Sequence, residues 1–344
     1  MAEAFSYPVE NYQAFVLSLR QTDYAGDIAI LAPPNRTRPE ALAFLRSHQV
    51  VLVNASHDSR RHNSERFWQY AALCSPSLYH YCLAADFRDV LFQANPFASY
   101  SMSSRADLVL PLEPRTFSTD AINRLTIQWC FGRAAVSELV NDTVICSGVL
   151  LGTPDGFAAL PHKLVPLAHK CRMDKMSDQG ALNYLIYSNM TKRPSVTGWA
   201  SAHHGGARNT AAEHAKAEPT VHVHVHGLVS LEGRPLRVAL EPPGHGMTYT
   251  VGAYKALPQA LDFEAGHMRD GVVLNADGRP APVVHQYDRL LASTGPPGTF
   301  RQQFGTTAAP MRFAALERAL ARDGGERRPL TPDRLAWVSG SNKR

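Results

Sequence analysis

Apolar residues recur every three to four positions over residues 9–21, with Tyr12, Phe15, Val16 and Leu19 on one stripe. That spacing predicts an amphipathic helix. Gly26 follows, and Asp27-Ile28-Ala29-Ile30-Leu31 predicts a short strand that Ala32-Pro33-Pro34 ends. A second helix is expected over 39–47, a strand over 50–53, and a third helix over 63–74 with Phe67, Tyr70 and Leu73 on one face. An apolar run, Tyr81 to Ala85, then carries the chain inward. Short β-branched strands alternating with helices predict an α/β fold with a mainly parallel sheet covered on both faces.

The pattern continues with a strand over 108–112 and a helix over 120–132 that holds Ile122, Leu125 and Trp129 inward and takes Ser118-Thr119-Asp120 as its N-cap region. Residues 143–152 are apolar enough for a central strand, but Ser147-Gly148 interrupts it; glycine there implies a bulge or a close backbone approach. Pro154 opens a helix to about His169, and Ser177-Asp178-Gln179 starts another with Leu182, Leu185 and Ile186 inside. Residues 200–218 have no hydrophobic period and read as a surface insertion. Short strands resume at 221–225, 236–240, 272–274 and 283–284, and a helix over 308–322 precedes a polar tail. There are no internal repeats.

Composition narrows the class. The 344 residues are 44% hydrophobic and 19% charged, which excludes a disordered polyelectrolyte. The net charge of +5 is spread out, with Arg60-Arg61 and Arg327-Arg328 as doublets. Nucleic-acid binders concentrate such charge on one face, so nucleic acid is not the expected partner. No run approaches the ~20 apolar residues of a membrane span, and the first residues show no signal-peptide pattern. The five cysteines occur singly, and an odd, irregular set argues against a disulfide framework. Cys82 and Cys146, inside apolar runs, read as small core hydrophobes. Sequons at Asn35, Asn54, Asn141 and Asn189 permit glycosylation in a secretory lumen.

The chemistry concentrates in Asp86-Phe87-Arg88-Asp89, directly after an apolar strand. Acids at a strand end are where α/β proteins hold divalent metals and phosphates. Asp86 and Asp89 can share a hard cation, and Arg88 can pair a phosphate; a surface ion pair is the plain alternative. His285 follows another apolar strand, and an imidazole joining two acids tilts the metal from Mg²⁺ towards Mn²⁺. Asp178-Gln179 are either a helix cap or a substrate-orienting pair. His222, His224 and His226 alternate with valine and could share one strand face, but no cysteine or carboxylate completes a zinc site, and an exposed strand face is the simpler reading. Walker-type, GxGxxG and GxSxG motifs are absent.

The segments "SLRQTDYAGDIAIL", "HNSERFWQY", "LAADFRDVLFQANPF", "VICSGVLLGT", "SDQGALNYLIY" and "VVLNADGRPAPVVHQYDR" occur in an order that resembles GT-A-type glycosyltransferases, in particular plant, algal and viral nucleotide-sugar transferases. The resemblance spans about residues 8–292, and "DFRDVLFQANPF" and "VVHQYDR" are its most specific parts. It implies a single Rossmann-type GT-A-like catalytic domain over 1–295, with a C-terminal helix and tail over 296–344.

The resemblance also implies roles. Asp86 and Asp89 stand for the DxD-type acidic motif, although two residues separate them here. With His285 they would hold Mn²⁺ or Mg²⁺. Arg66, Asp86, Arg88 and Ala32, at the end of the first predicted strand, would contact the donor. Ser147, Gly148 and Gln179 would face the acceptor or the sugar. Asp178 would be the catalytic base of an inverting enzyme or a positioning group in a retaining one. The implied activity is transfer of a sugar from a nucleoside diphosphate donor, a UDP-sugar foremost, to a hydroxyl of a glycan or glycoprotein. The alternatives are an inactive carbohydrate- or nucleotide-sugar-binding module and a sugar-nucleotide pyrophosphorylase, though Ala32-Pro33-Pro34 lacks the glycine-rich loop the latter needs. The expected location is the Golgi lumen if an N-terminal anchor precedes this chain, and the cytoplasm otherwise.

Overall fold

In a computed structural model, residues 1–4, 6–55, 62–99, 106–171, 176–190, 221–230, 232–251 and 268–287 are described. The expected insertion at 200–218, the helix at 308–322 and the tail lie outside them.

Apart from short strands at Ala2–Glu3 and Val90–Phe92, the first half alternates as its periodicity predicts. Strand β1 (Ala2–Glu3) leads to helix α1 (Val9–Arg20), β2 (Ala29–Leu31), α2 (Pro39–Ser47), β3 (Val51–Val53), α3 (His62–Leu73), β4 (Cys82–Ala85) and β5 (Val90–Phe92). Next come α4 (Pro96–Ser99), β6 (Leu108–Thr116), α5 (Ala121–Leu139), β7 (Thr143–Ile145), β8 (Val149–Gly152), α6 (Pro154–Ala168) and α7 (Ser177–Asn189). The remainder is β9 (Val221–Val229), β10 (Pro235–Glu241), β11 (Thr248–Thr250), β12 (Met268–Arg269), β13 (Val272–Val273) and β14 (Val283–His285).

Among the described residues the central sheet runs β3-β2-β1-β4-β8-β6-β10-β9, with β7 also on β6. It is parallel from β3 to β4 and again between β6 and β10; β8, β7 and β9 pair antiparallel. The helix-flanked α/β fold expected from the sequence is thus the one observed. Successive strand residues face opposite sides. Cys82 and Ala84 therefore enter one core with α3, α5, α6 and α7, while Leu83 and Ala85 enter the other with α1 and α2. A second small sheet, β11-β14-β5, turns β5 away from the main one.

Four expectations change. The sheet contains a strand, β1, that the sequence did not announce: two residues carry no readable period, yet they pair in parallel with both β2 and β4. On α5 the apolar stripe Ile122, Leu125 and Trp129 points outward, with Ile122 and Trp129 at 53% and 50% exposure. The inward face is Asn123, Thr126, Ile127, Ala135 and Leu139, because the start of this helix borders a polar cleft. The 143–152 run is two strands, parted at the Cys146-Ser147-Gly148 turn. Finally, disulfides join Cys74 to Cys82 and Cys130 to Cys171, leaving Cys146 free. The irregular spacing concealed them because each pair meets through tertiary packing. His224 and His226 of β9 are exposed, as an open strand face requires.

Candidate active site

The turn between β4 and β5 is pinned by its least polar member. Phe87 packs against Tyr7, Tyr12 and Phe15, with ring centroids 5.6, 4.7 and 5.1 Å away. With that ring anchored, Asp86, Arg88 and Asp89 line one cleft together with Phe87 and Tyr7. The intervening Phe87-Arg88 pair thus lets two acids spaced wider than DxD reach one pocket.

His285 arrives by strand register. β14 pairs antiparallel with β5, which sets His285 opposite Val90, next to Asp89. The Gln286 N–H donates to the Asp89 carbonyl at 2.6 Å and locks that alignment. One ligand atom from each of Asp86, Asp89 and His285 lies within 4.8 Å of the others. His285 Nε2 is 3.6 Å from Asp86 Oδ2 and 3.9 Å from Asp89 Oδ1, beyond hydrogen-bond length. The ring is buried and Nε2 has no hydrogen-bond partner. A buried nitrogen without a protein partner, facing two carboxylates, is placed where a water or a cation would complete it. Gly148 keeps the space open: a Cβ there would lie 2.5 Å from His285 Nε2 and 2.7 Å from Asp86 Oδ2. Two carboxylates and one imidazole form a donor set that suits Mn²⁺.

Arg66 organises the adjoining wall. From buried α3 its Nη1 donates to Asp86 Oδ1 at 2.7 Å, and its Nη2 to Asp178 Oδ2 at 2.9 Å. Asp178 therefore serves an ion pair rather than a helix cap; α7 starts after Met176, which has a left-handed φ of 62°. The helix is held in place by Asn183, whose amide accepts from the Ile145 N–H at 2.7 Å and donates to the Ile145 carbonyl at 2.8 Å. Gln179 has both ends engaged, accepting from the Ser147 hydroxyl at 3.3 Å and donating to Asn123 at 2.8 Å and Glu113 at 3.3 Å.

The charges are strongly perturbed. Burial pushes Asp86 up, but Arg66 and His285 outweigh it and hold it well below the usual carboxylate range. Asp178 moves the other way: burial raises it, Asp86 adds to that, and Arg66 only partly opposes. Burial depresses His285, yet Cys146 and Asp86 carry it well above its ordinary value. Carboxyls driven in opposite directions in one cleft mark a site where charge is managed.

The cleft has a volume of about 460 Å³ and is lined by Arg66, Asp86, Arg88, Asp89, Ser147, Asp178, Gln179 and His285 among others. Ala32 does not line it. β1 lies between β2 and β4, and its last residue Glu3 and the following Tyr7 line the cleft instead. Sequence reasoning also missed Glu113, Arg115, Asp120 and Asn123, which line the same cleft. Asp120 was legible only as an N-cap, and it is one, accepting from Ile122 and Asn123 N–H.

No protein-family model and no curated protein matches the chain. Among solved structures, a galactosyltransferase, LgtC, in complex with donor and acceptor sugar analogues is similar over 93% of this chain and 94% of its own, at 13% identity and a TM-score of 0.44. An active-site mutant of LgtC is similar over 86% of this chain and 88% of its own, at 11% identity and a TM-score of 0.43.

Proposed function

We propose that this chain is a metal-dependent glycosyltransferase that moves a sugar from a nucleoside diphosphate donor, a UDP-sugar foremost, to a hydroxyl of a glycan or glycoprotein. The observation that carries the reading is the meeting of Asp86, Asp89 and the unpartnered His285 Nε2 at the edge of a polar cleft. The motif resemblance, whose most specific segments contain the same three residues, is consistent with it. Those three residues would hold Mn²⁺ (or Mg²⁺), which supplies Lewis-acid neutralisation of a diphosphate leaving group.

The protein's own groups do the rest. Arg88 lines the cleft beside Asp89 and offers a guanidinium to phosphate oxygens. Arg66 fixes the orientation of Asp86 and Asp178 together. Ser147, Gln179, Asn123 and Glu113 form one hydrogen-bonded wall whose donors and acceptors suit sugar hydroxyls. A general base needs a free carboxylate, and Asp178 already pairs with Arg66. We therefore read Asp178 as a positioning group; the anomeric configuration of the product, read by NMR, decides between retention and inversion. The two disulfides favour an oxidising compartment, such as the secretory lumen. No helix among the described residues is long and apolar enough to cross a membrane.

Thermal unfolding with a panel of nucleotide sugars, with and without Mn²⁺, is the test. Saturating donor and metal together should raise the midpoint by several degrees. The Asp89→Asn variant should lose that shift and roughly a hundredfold or more in transfer, since it discards part of the charge stabilisation. Full activity in Asp89→Asn refutes the assignment, and binding without turnover in the native chain favours the inert module.

A further inference from the structure

One buried nucleophile has no place in the scheme above. Cys146 is the free cysteine, fully buried in the turn between β7 and β8. Its composition-based reading as a small hydrophobe fits its burial but not its neighbours. The sulfur lies 3.2 Å from His285 Nδ1, and the Gly148 N–H donates to it at 3.4 Å. On the same side of the ring, Thr250 Oγ1 is 3.5 Å from Nδ1, brought there because β11 pairs with β14 at Thr250 and His285. The opposite nitrogen, Nε2, is the unpartnered one that faces Asp86 and Asp89.

We propose that Cys146 is a positioning residue for the metal site: its sulfur accepts the His285 Nδ1–H and so leaves the Nε2 lone pair aimed at Asp86 and Asp89. The inference rests on the metal-dependent reading and deepens it. An imidazole has one proton to place when neutral, and the partner of one nitrogen decides which lone pair is left for a ligand. Partners of this kind also fix the ring's orientation, and their loss lowers metal affinity roughly 10–100-fold. The same sulfur takes the Gly148 N–H, so one atom holds both the ring and the glycine whose missing Cβ leaves room beside it. Thr250 is farther away and lends only secondary support.

The test uses the full chain and Mn²⁺ alone, read by the electron paramagnetic resonance of free Mn²⁺ and by pulsed measurement of ¹⁴N modulation from a bound imidazole. In Cys146→Ala the dissociation constant should rise roughly 10–100-fold and the nitrogen modulation should weaken, with circular dichroism unchanged. Cys146→Ser, which keeps an acceptor at the position, should recover most of both signals, and Thr250→Val should change them little. If Cys146→Ala does not fold, Cys146→Val fills the volume without an acceptor and carries the same expectation. Native-like affinity and modulation in the acceptor-free variant overturn the positioning role alone. A native chain that binds no Mn²⁺ overturns both this role and the metal-dependent reading.

Discussion

Arg66 is the residue on which the wall of the cleft turns, since one guanidinium pairs with two carboxylates from different parts of the chain. Both Arg66 and Asp178 are almost wholly buried, so their pairing is sheltered from solvent screening. Removing one partner leaves the other charge buried without compensation, which costs about 3–5 kcal/mol. Arg66→Ala should therefore lower the unfolding free energy by about that amount in urea titrations, besides abolishing transfer. A loss comparable to that of a surface residue would mean that Asp178 is neutral in the native protein. Arg66→Lys should not rescue, because a single ammonium nitrogen cannot stand at the two separate positions from which Nη1 and Nη2 reach Asp86 and Asp178.

At the level of elements, the disulfides tie together the segments that carry the site. Cys74, just past α3, is joined to Cys82, the first residue of β4, so the Arg66 helix is fastened to the Asp86 strand. Cys130 of α5 is joined to Cys171, beyond α6 and shortly before α7, which fastens the Asn123 helix near the Asp178 helix. The pairs are separated by 8 and 41 positions. Loop-closure entropy assigns roughly 2.5 and 4 kcal/mol to such cross-links. Reduction should destabilise the chain measurably in chemical unfolding, and the Cys130→Ser, Cys171→Ser double variant should lose more than the Cys74→Ser, Cys82→Ser one. The reverse order would show that the native segments around α7 hold together without covalent help.

The pH dependence of stability belongs to the whole molecule, and Glu241 is one buried group that contributes to it. It closes β10 of the main sheet and accepts the Met247 N–H at 2.9 Å, at the passage to β11 of the small sheet. Burial, only partly opposed by that hydrogen bond, raises its carboxyl from 4.5 to about 7. The native state therefore holds this proton more tightly than the unfolded chain does. Its stabilising contribution is complete below pH 4.5 and is lost as the pH rises towards 7. The loss amounts to roughly 3 kcal/mol. Glu241→Gln keeps the acceptor and removes the titration, so its stability relative to the native chain should improve by roughly that amount between pH 4 and pH 8. An equal pH slope in both proteins would place the relevant proton elsewhere.

Local periodicity determined α1, α2, α3, α6 and α7 and the strands β2, β3 and β4, because one face of each helix is apolar at its own repeat and each strand is a short apolar run. Residue type also nominated Asp86, Asp89, His285 and Asp178, since carboxylates and imidazole are costly to leave beside apolar segments without a purpose, whereas Arg66 entered only through the family resemblance. Local pattern misled where burial was polar, as on α5, where Asn123 and Thr126 face inward and Trp129 faces out. It argued against a disulfide framework, which Cys74–Cys82 and Cys130–Cys171 overturn, and it was silent on β1, on Glu113 and on the Cys146–His285 contact. Those depend on residues far apart in the chain: parallel pairing of a two-residue strand, sulfurs brought together by packed helices, and a β5–β14 register that seats His285 beside Asp89. Chemistry could be nominated from side chains, but which groups share one cleft was decided by strand order and register, because only they convert sequence separation into ångströms.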